Sequence, residues 1–198
     1  VRWQAEHCIV ALPVFIAARV VENAPRVLTE AAASIGHAPW LVSNVHLRAP
    51  LADRPPGAAP SWDNVVFGSA GLGYVDAGHQ RLDPTPRETV LSWYRPLGPS
   101  RHDGADGRRQ LLERPWTHWR DQLLAELSLP HPDLPELATR IEVARHGHAM
   151  AIPVPGQLAR LPSAGQRRIE AGRLAFAHAD WSGYSIFEEA FTRGHHAA

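Results

Sequence analysis

Short apolar runs, each closed by a proline or glycine, set the rhythm of this chain. His7 to Leu12 is too short for a helix, contains Ile and Val, and stops at Pro13, so it reads as a buried strand. Val14 to Val21 fits a helix start or a loop. Arg26 to Ile35 has helical composition, with Gly36 placed to cap its C-terminus. Trp40 to Leu47 turns strand-like, and a loop rich in Pro, Gly and Ala follows from Pro50 to Pro60. Asn64 to Gly68 and Leu72 to Ala77 read as hairpin strands joined by a tight turn at Ser69-Ala70-Gly71. Thr89 to Tyr94 is another strand, ended by Pro96, and Ser100 to Gly107 reads as a polar surface loop. Between Arg108 and Leu127, the residues Leu111, Leu112, Trp116, Trp119, Leu123, Leu124 and Leu127 recur at three- and four-residue spacing. They predict one apolar helix face, so both tryptophans are read as core, while Pro115 starts a second helix or kinks the first. Arg140 to Ala144 is a further strand and Pro153 to Gly165 a Pro/Gly-rich crossing. Leu174 to Ala177 is the last strand, and a helix follows from about Phe187.

This order is not a repeated βαβ array. It predicts an α+β chain: a mixed, mainly antiparallel sheet with a helix layer, flanked by two pieces of another domain. An apolar fraction of 44% in 198 residues supports a packed core. A formal net charge of zero gives no electrostatic case for nucleic acid or an anionic membrane surface, and no apolar stretch reaches the length of a membrane span.

The 20 basic residues are all arginine, so no Schiff-base lysine or lysine general base can come from this chain. Cys8 is alone, which excludes an intramolecular disulfide and a cysteine metal cluster; its place in an apolar run predicts a buried, inert thiol. His146 and His148 are read as a poor metal pair, so no metal site is expected. Gly68-Ser-Ala-Gly71-Leu-Gly73 has the reversed spacing of a dinucleotide loop and precedes a strand, which argues against phosphate binding there. The chain starts at Val1 and enters a strand almost at once, which fits a fragment or a processed product.

The last 27 residues carry the most specific pattern. An apolar strand, Leu174 to Ala177, runs into Asp180, then into Trp181-Ser182-Gly183-Tyr184, then into a helix. This resembles the C-terminal flavin-binding segment of the FAD-dependent amine oxidase superfamily, which includes monoamine oxidases, phytoene desaturases and protoporphyrinogen oxidases. Ile9-Val10-Ala11-Leu12-Pro13 is similar to the strand that closes the family's cofactor domain. Arg145 to Ala149, through Pro155-Gly156, is similar to a family strand and turn near the flavin ring.

The resemblance implies a layout of three parts: residues 1–25 as the last central strand of an FAD-binding domain, 26–155 as a substrate-binding domain, and 156–198 as a C-terminal FAD-binding segment of Rossmann-like type. It implies FAD as cofactor, a small-molecule substrate, and a dinucleotide-binding half N-terminal to this chain. Ala11, Pro13, His148, Asp180, Gly183, Tyr184, Ser185, Ile186 and Phe187 become the cofactor-contacting candidates. Asp180 takes the position of an acid that accepts hydrogen bonds from sugar or ribityl hydroxyls. The amides of Ser185, Ile186 and Phe187 would point off a helix N-terminus toward the negative end of a reduced flavin.

Two departures matter. His148 and Ala149 stand where monoamine oxidases carry a flavin-linking cysteine and a tyrosine, and no lysine is available for the family's water-mediated contact with flavin N5. Hydride removal of desaturase or protoporphyrinogen type then fits as well as amine oxidation, and no catalytic residue is assigned. The alternative is a non-catalytic module, or a subunit that needs a separate FAD-binding half. A serine hydrolase built on Ser182 or Ser185 lacks the G-x-S-x-G elbow. On the fragment reading, apolar surface should be exposed around Ile9 to Leu12 and Leu174 to Ala177.

Overall fold

The computed structural model describes residues 1–54, 56–57, 59, 61–82, 85, 87–98, 105–161 and 166–198. Parts of the expected Pro50–Pro60 and Ser100–Gly107 loops and of the Pro153–Gly165 crossing lie outside the described residues. The chain divides into two compact units, residues 1–37 with 150–198, and residues 38–149. The sequence placed its boundaries at 25/26 and 155/156.

The first unit holds β1 (Cys8–Val10), α1 (Val14–Val20), α2 (Arg26–Ser34), a short α6 (Gln157–Arg160), β7 (Ile169–Ala171), β8 (Leu174–Phe176) and α7 (Phe187–Ala197). Its three strands run in the order β1-β8-β7. β1 pairs parallel with β8 (Ile9 opposite Ala175), and β7 pairs antiparallel with β8. The two-residue loop between β7 and β8 begins at Gly172 with φ +61°, the left-handed backbone that hairpin turns need and glycine supplies without strain. Val14, Leu28, Ala31, Ile169, Phe176 and Trp181 form the core of this unit.

Several expectations are corrected here. The first strand is three residues long and lies at the sheet's edge, so Cys8 is exposed rather than buried. Ile9 and Leu12 are exposed as the fragment reading requires, whereas Ala175, Phe176 and Ala177 are buried, because β8 is the central strand of the three. Gly36 does not cap α2. The helix ends at Ile35 in an extended conformation (φ −107°) and the chain passes straight into the next strand.

The second unit is built on β2 (His37–Leu47), β3 (Asp63–Asn64), β4 (Tyr74–Asp76), β5 (Thr89–Pro96) and β6 (Ala138–Ala151), ordered β3-β4-β5-β2-β6. β2 and β5 pair antiparallel from Trp40 opposite Pro96 to Leu47 opposite Thr89. The hairpin of β3 and β4 exists, but its strands are shorter than expected and residues 65–73 connect them in place of a tight turn. Gly73 lets the returning backbone pass this close to β3: its φ is +93°, and a Cβ there would lie 1.8 Å from the Asn64 carbonyl oxygen. β6 continues through His146 and His148, which therefore share one face of the strand.

Helices α3 (Ala105–Glu113), α4 (Trp116–Leu127) and α5 (Leu134–Leu137) belong to the same unit. Leu41, Val45, Leu47, Leu91 and Trp93 from the sheet pack against Leu111, Trp119, Leu123 and Leu127 from the helices. Pro115 caps α4 and separates it from α3, so the apolar phase restarts there. Leu112 and Trp116 consequently leave the core. Trp116 is 49% exposed, with the Arg120 guanidinium carbon 5.1 Å from its ring centre.

Gly107 sets how closely α3 approaches the sheet. A Cβ there would lie 1.7 Å from the Leu97 carbonyl oxygen and 2.7 Å from Pro39 Cγ. The Leu97 amide donates to the Pro39 carbonyl at 2.8 Å, so this backbone cannot easily yield. In an open helix, alanine for glycine gains about 1 kcal/mol. Here the overpacking cost of about 1–3 kcal/mol is expected to win. Gly107→Ala should lower the urea midpoint, and a raised midpoint would show that α3 can retreat without loss.

Candidate cofactor site

Behind β8 the chain makes a turn of 3-10 helix, Ala179–Ser182, which carries Asp180 inward. Asp180 is 1% exposed. Its Oδ2 accepts the Val14 amide at 3.0 Å and lies 3.1 Å from His37 Nε2. Val14 opens α1 behind Pro13, which provides no side-chain cap of its own. Asp180 therefore caps α1 from 166 residues away, placing a negative charge at the positive end of the helix.

His178 completes the cluster. Its Nδ1 accepts the Asp180 amide at 3.1 Å and lies 3.4 Å from Asp180 Oδ2. One ring nitrogen cannot accept and donate together. Burial pushes the Asp180 carboxyl up, but the hydrogen bonds and charges of His178 and His37 outweigh burial and hold it well below the usual carboxylate range.

The structure thus joins Asp180 to Pro13-Val14, two pieces far apart in sequence. Ala11 is exposed just ahead of them. His148 lies on β6 in the other unit and is exposed. Gly183 takes φ +73° and is buried; Tyr184, next to it, is 45% exposed. Ser185 Oγ accepts the Ala151 amide at 2.7 Å. Ile186 is the N-cap of α7 and Phe187 its first residue, with no side chain capping the helix. The orphan amides of α7 thus begin at the N-cap, Ile186, because the first intrahelical bond runs from the Ala190 amide to the Ile186 carbonyl, and Ser185 precedes them. Glu188 and Glu189 stand in the first turn. Tyr184, Ile186, Phe187 and Phe191 are all exposed, with the two phenylalanine rings stacked at 6.1 Å.

The sequence reading missed three residues. Arg193 reaches back from α7 to donate to Ser182 Oγ (2.8 Å), the Trp181 carbonyl (3.2 Å) and the Gln166 carbonyl (2.8 Å), fixing the helix to its own lead-in turn. His37 gave no local signal, because its partner lies at the other end of the chain. Gln157, at the start of α6, is 5% exposed; its Oε1 accepts the Val154 amide at 3.0 Å and its Nε2 has no partner among the described residues. An unpaired buried amide donor costs about 1–3 kcal/mol. Neither serine of the hydrolase reading bonds a histidine among the described residues: Ser182 accepts from Arg193 and Ser185 from Ala151.

On the second unit, the other face of β2 and β5 is half-buried and mixed, with Trp40, Val42, Val90 and Tyr94 beside polar pairs. Ser92 Oγ donates to Asn44 Oδ1 at 2.8 Å, and His46 Nε2 lies 3.3 Å from Glu142 Oε2. Glu142 also pairs with Arg140 at 2.5 Å, so its charge is answered. No helix of the described residues is long and apolar enough to cross a membrane.

No family model matches the chain, and no curated protein matches it. Solved structures do. Cyclohexylamine oxidase from Brevibacterium oxydans superposes with a TM-score of 0.64 at 16% identity, over 97% of this chain and 41% of that one. Wild-type putrescine oxidase bound to putrescine gives 0.65 at 16% identity, over 98% and 42%. A protoporphyrinogen oxidase-like protein from Exiguobacterium gives 0.52 at 11%, over 97% and 41%. The chain spans about two fifths of the length of each. From β1 to α7, the fold of this α+β chain is that of the C-terminal part of an FAD-dependent amine oxidase.

Proposed function

We propose that this chain supplies the substrate domain and the closing segment of the cofactor domain in an FAD-dependent oxidoreductase. The observation that carries this reading is the likeness of fold over 97% of the chain. In it, residues 38–149 belong to the substrate domain, and the unit around β1, β8 and α7 belongs to the cofactor domain.

The residues present fit a flavin at one end and fit it less well at the other. The left-handed Gly183, the exposed Tyr184 and Ile186 and the uncapped start of α7 form a surface that a flat, electron-rich ring system can cover. Asp180 is taken up by Val14 and His37, so its part is to hold the Ala11–Pro13 approach to α1 rather than to meet a sugar hydroxyl with Oδ2. Bound FAD would supply the hydride acceptor. The chain's own residues would orient substrate along the Asn44, Ser92 and Tyr94 face, with His148 farther along β6. Without lysine, a desaturase- or protoporphyrinogen-type substrate fits as well as an amine.

The test is an absorbance spectrum of the purified chain before and after addition of FAD and desalting. A retained two-band flavin spectrum, bleached anaerobically by an oxidisable substrate, is the expected result. A second reading, a module that needs a separate FAD-binding half, is favoured by the exposed Ile9, Leu12, Ile186 and Phe187. It predicts a colourless chain that gains flavin only when such a half is added. A chain that stays colourless under both conditions would defeat both readings.

A further inference from the structure

We propose that the cavity at the end of the second unit's sheet where Leu47 meets Thr89 is a binding site for a small organic cation, an apolar body that carries one positive group. The cavity has a volume of about 660 Å³, well within the range of small-molecule sites. The residues lining it run from Pro50 to His131, so it belongs to the second unit alone. The inference does not rest on the flavin reading.

The sheet explains where the cavity lies. Asn64 on β3 stands opposite Tyr74 on β4, and Asp76 follows two residues on, so the three side chains share one face. Trp93 stands opposite Tyr74 on that face and packs with the helices. However, α4 ends at Leu127, and only Pro130 and His131 beyond it reach the cavity. Loop residues between Pro50 and Ser61, with Val65, Val66 and Phe67, bound the rest.

Charge selects the occupant. Arg54 is answered, because Nη1 donates to Asp133 Oδ1 at 2.8 Å. Asp53 and Asp76 are not. Asp76 Oδ1 accepts the Gly78 amide at 2.8 Å and the Thr89 hydroxyl at 2.6 Å, both neutral donors, and neither carboxylate has a cationic partner among the described residues. His131 adds no positive charge at pH 7, since burial pushes its ring below the ordinary histidine value. Two unanswered negative charges thus stand beside Leu51, Val66, Phe67 and Pro130. A neutral apolar ligand would strip water from them without compensation, and an anion would be repelled. A cation offsets the lost solvation. The rings of Phe67 and Tyr74 favour the same charge. No set of metal-ligating side chains converges among the described residues, so the positive group is organic.

The probe is benzyltrimethylammonium, compared with benzyl alcohol and phenylacetate, which carry the same ring on a neutral and an anionic group. A quaternary nitrogen has no lone pair and cannot be oxidised to an imine, so the titration reads binding apart from any flavin chemistry. Calorimetry on the full chain gives affinity, and the methyl resonances of Val65 and Val66 give location. The cation is expected to bind about 5-fold tighter than benzyl alcohol, the value of one charge pair in a solvated cleft, with phenylacetate weakest. Asp53→Asn should weaken the cation about 3- to 10-fold, less in high salt, and leave benzyl alcohol unchanged. Asp53 is exposed, so D53N should fold as wild type. Val65→Arg, at a position 76% exposed, places a cation of the chain's own in the cavity and should also weaken the probe. Cation binding no tighter than that of benzyl alcohol, wild-type affinity in D53N or V65R, or unmoved Val65 and Val66 resonances would overturn the proposal.

Discussion

Asp180→Ala is expected to be the most damaging single substitution in the first unit. It strips the acceptor from two buried donors, the Val14 amide and His37 Nε2, and removes the cap of α1. Leaving a buried donor unpaired costs about 1–3 kcal/mol and losing a helix cap about 1 kcal/mol, together a large share of the roughly 5–15 kcal/mol that holds a domain folded. Asp180→Asn keeps an acceptor oxygen for one donor and should lose distinctly less. Urea titration of the three proteins measures this directly, and D180A matching wild type would show that α1 needs no cap. The pH dependence has a fixed sign. Because the folded-state pKa lies below the ordinary aspartate value, the stabilisation is present above about pH 4, the unfolded value, and is lost as pH falls below it. The gap between wild type and D180A should therefore narrow in acid.

Glu126→Ala should have the corresponding effect in the second unit. Glu126 stands on α4 with its side chain 9% exposed. Oε1 accepts Trp93 Nε1 at 2.8 Å, Oε2 accepts the Gly71 amide at 3.2 Å, and Arg95 lies 4.0 Å away. One carboxylate thus ties a helix, the central β5 and the connection between β3 and β4. Alanine leaves two donors unpaired and should cost about 2–4 kcal/mol. Gln keeps one acceptor but presents an NH2 group to the other donor, so it should fall between. A double-mutant cycle with Trp93→Phe measures the coupling, expected at about 0.5–3 kcal/mol. A coupling near zero would mean that Trp93 and Glu126 do not stabilise each other.

Much of the fold was legible because alternation and helical spacing are local properties. β2 and β5 follow directly from their alternating apolar positions. Of the two outcomes that Pro115 allowed, a second helix or a kink, the chain takes the second helix, because proline interrupts the hydrogen-bond ladder, and Trp116 left the core while Trp119 stayed. Cys8 was misplaced for a different reason. Apolar character does not say whether a strand is central or at an edge, and β1 is at the edge.

The sequence by itself determined the chain's α+β class and most of its longer elements, including the strand and helix of the tail, and that class agrees with the fold of the solved amine oxidases. Only the tertiary structure decided which atoms meet. That Asp180 caps a helix starting at Val14, that His37 stands beside it, and that Gln157 Nε2 has no partner among the described residues are results of packing. A residue's type fixes what it can bond. Its bonding partner depends on how the chain closes over long sequence separations, and no local pattern records that closure.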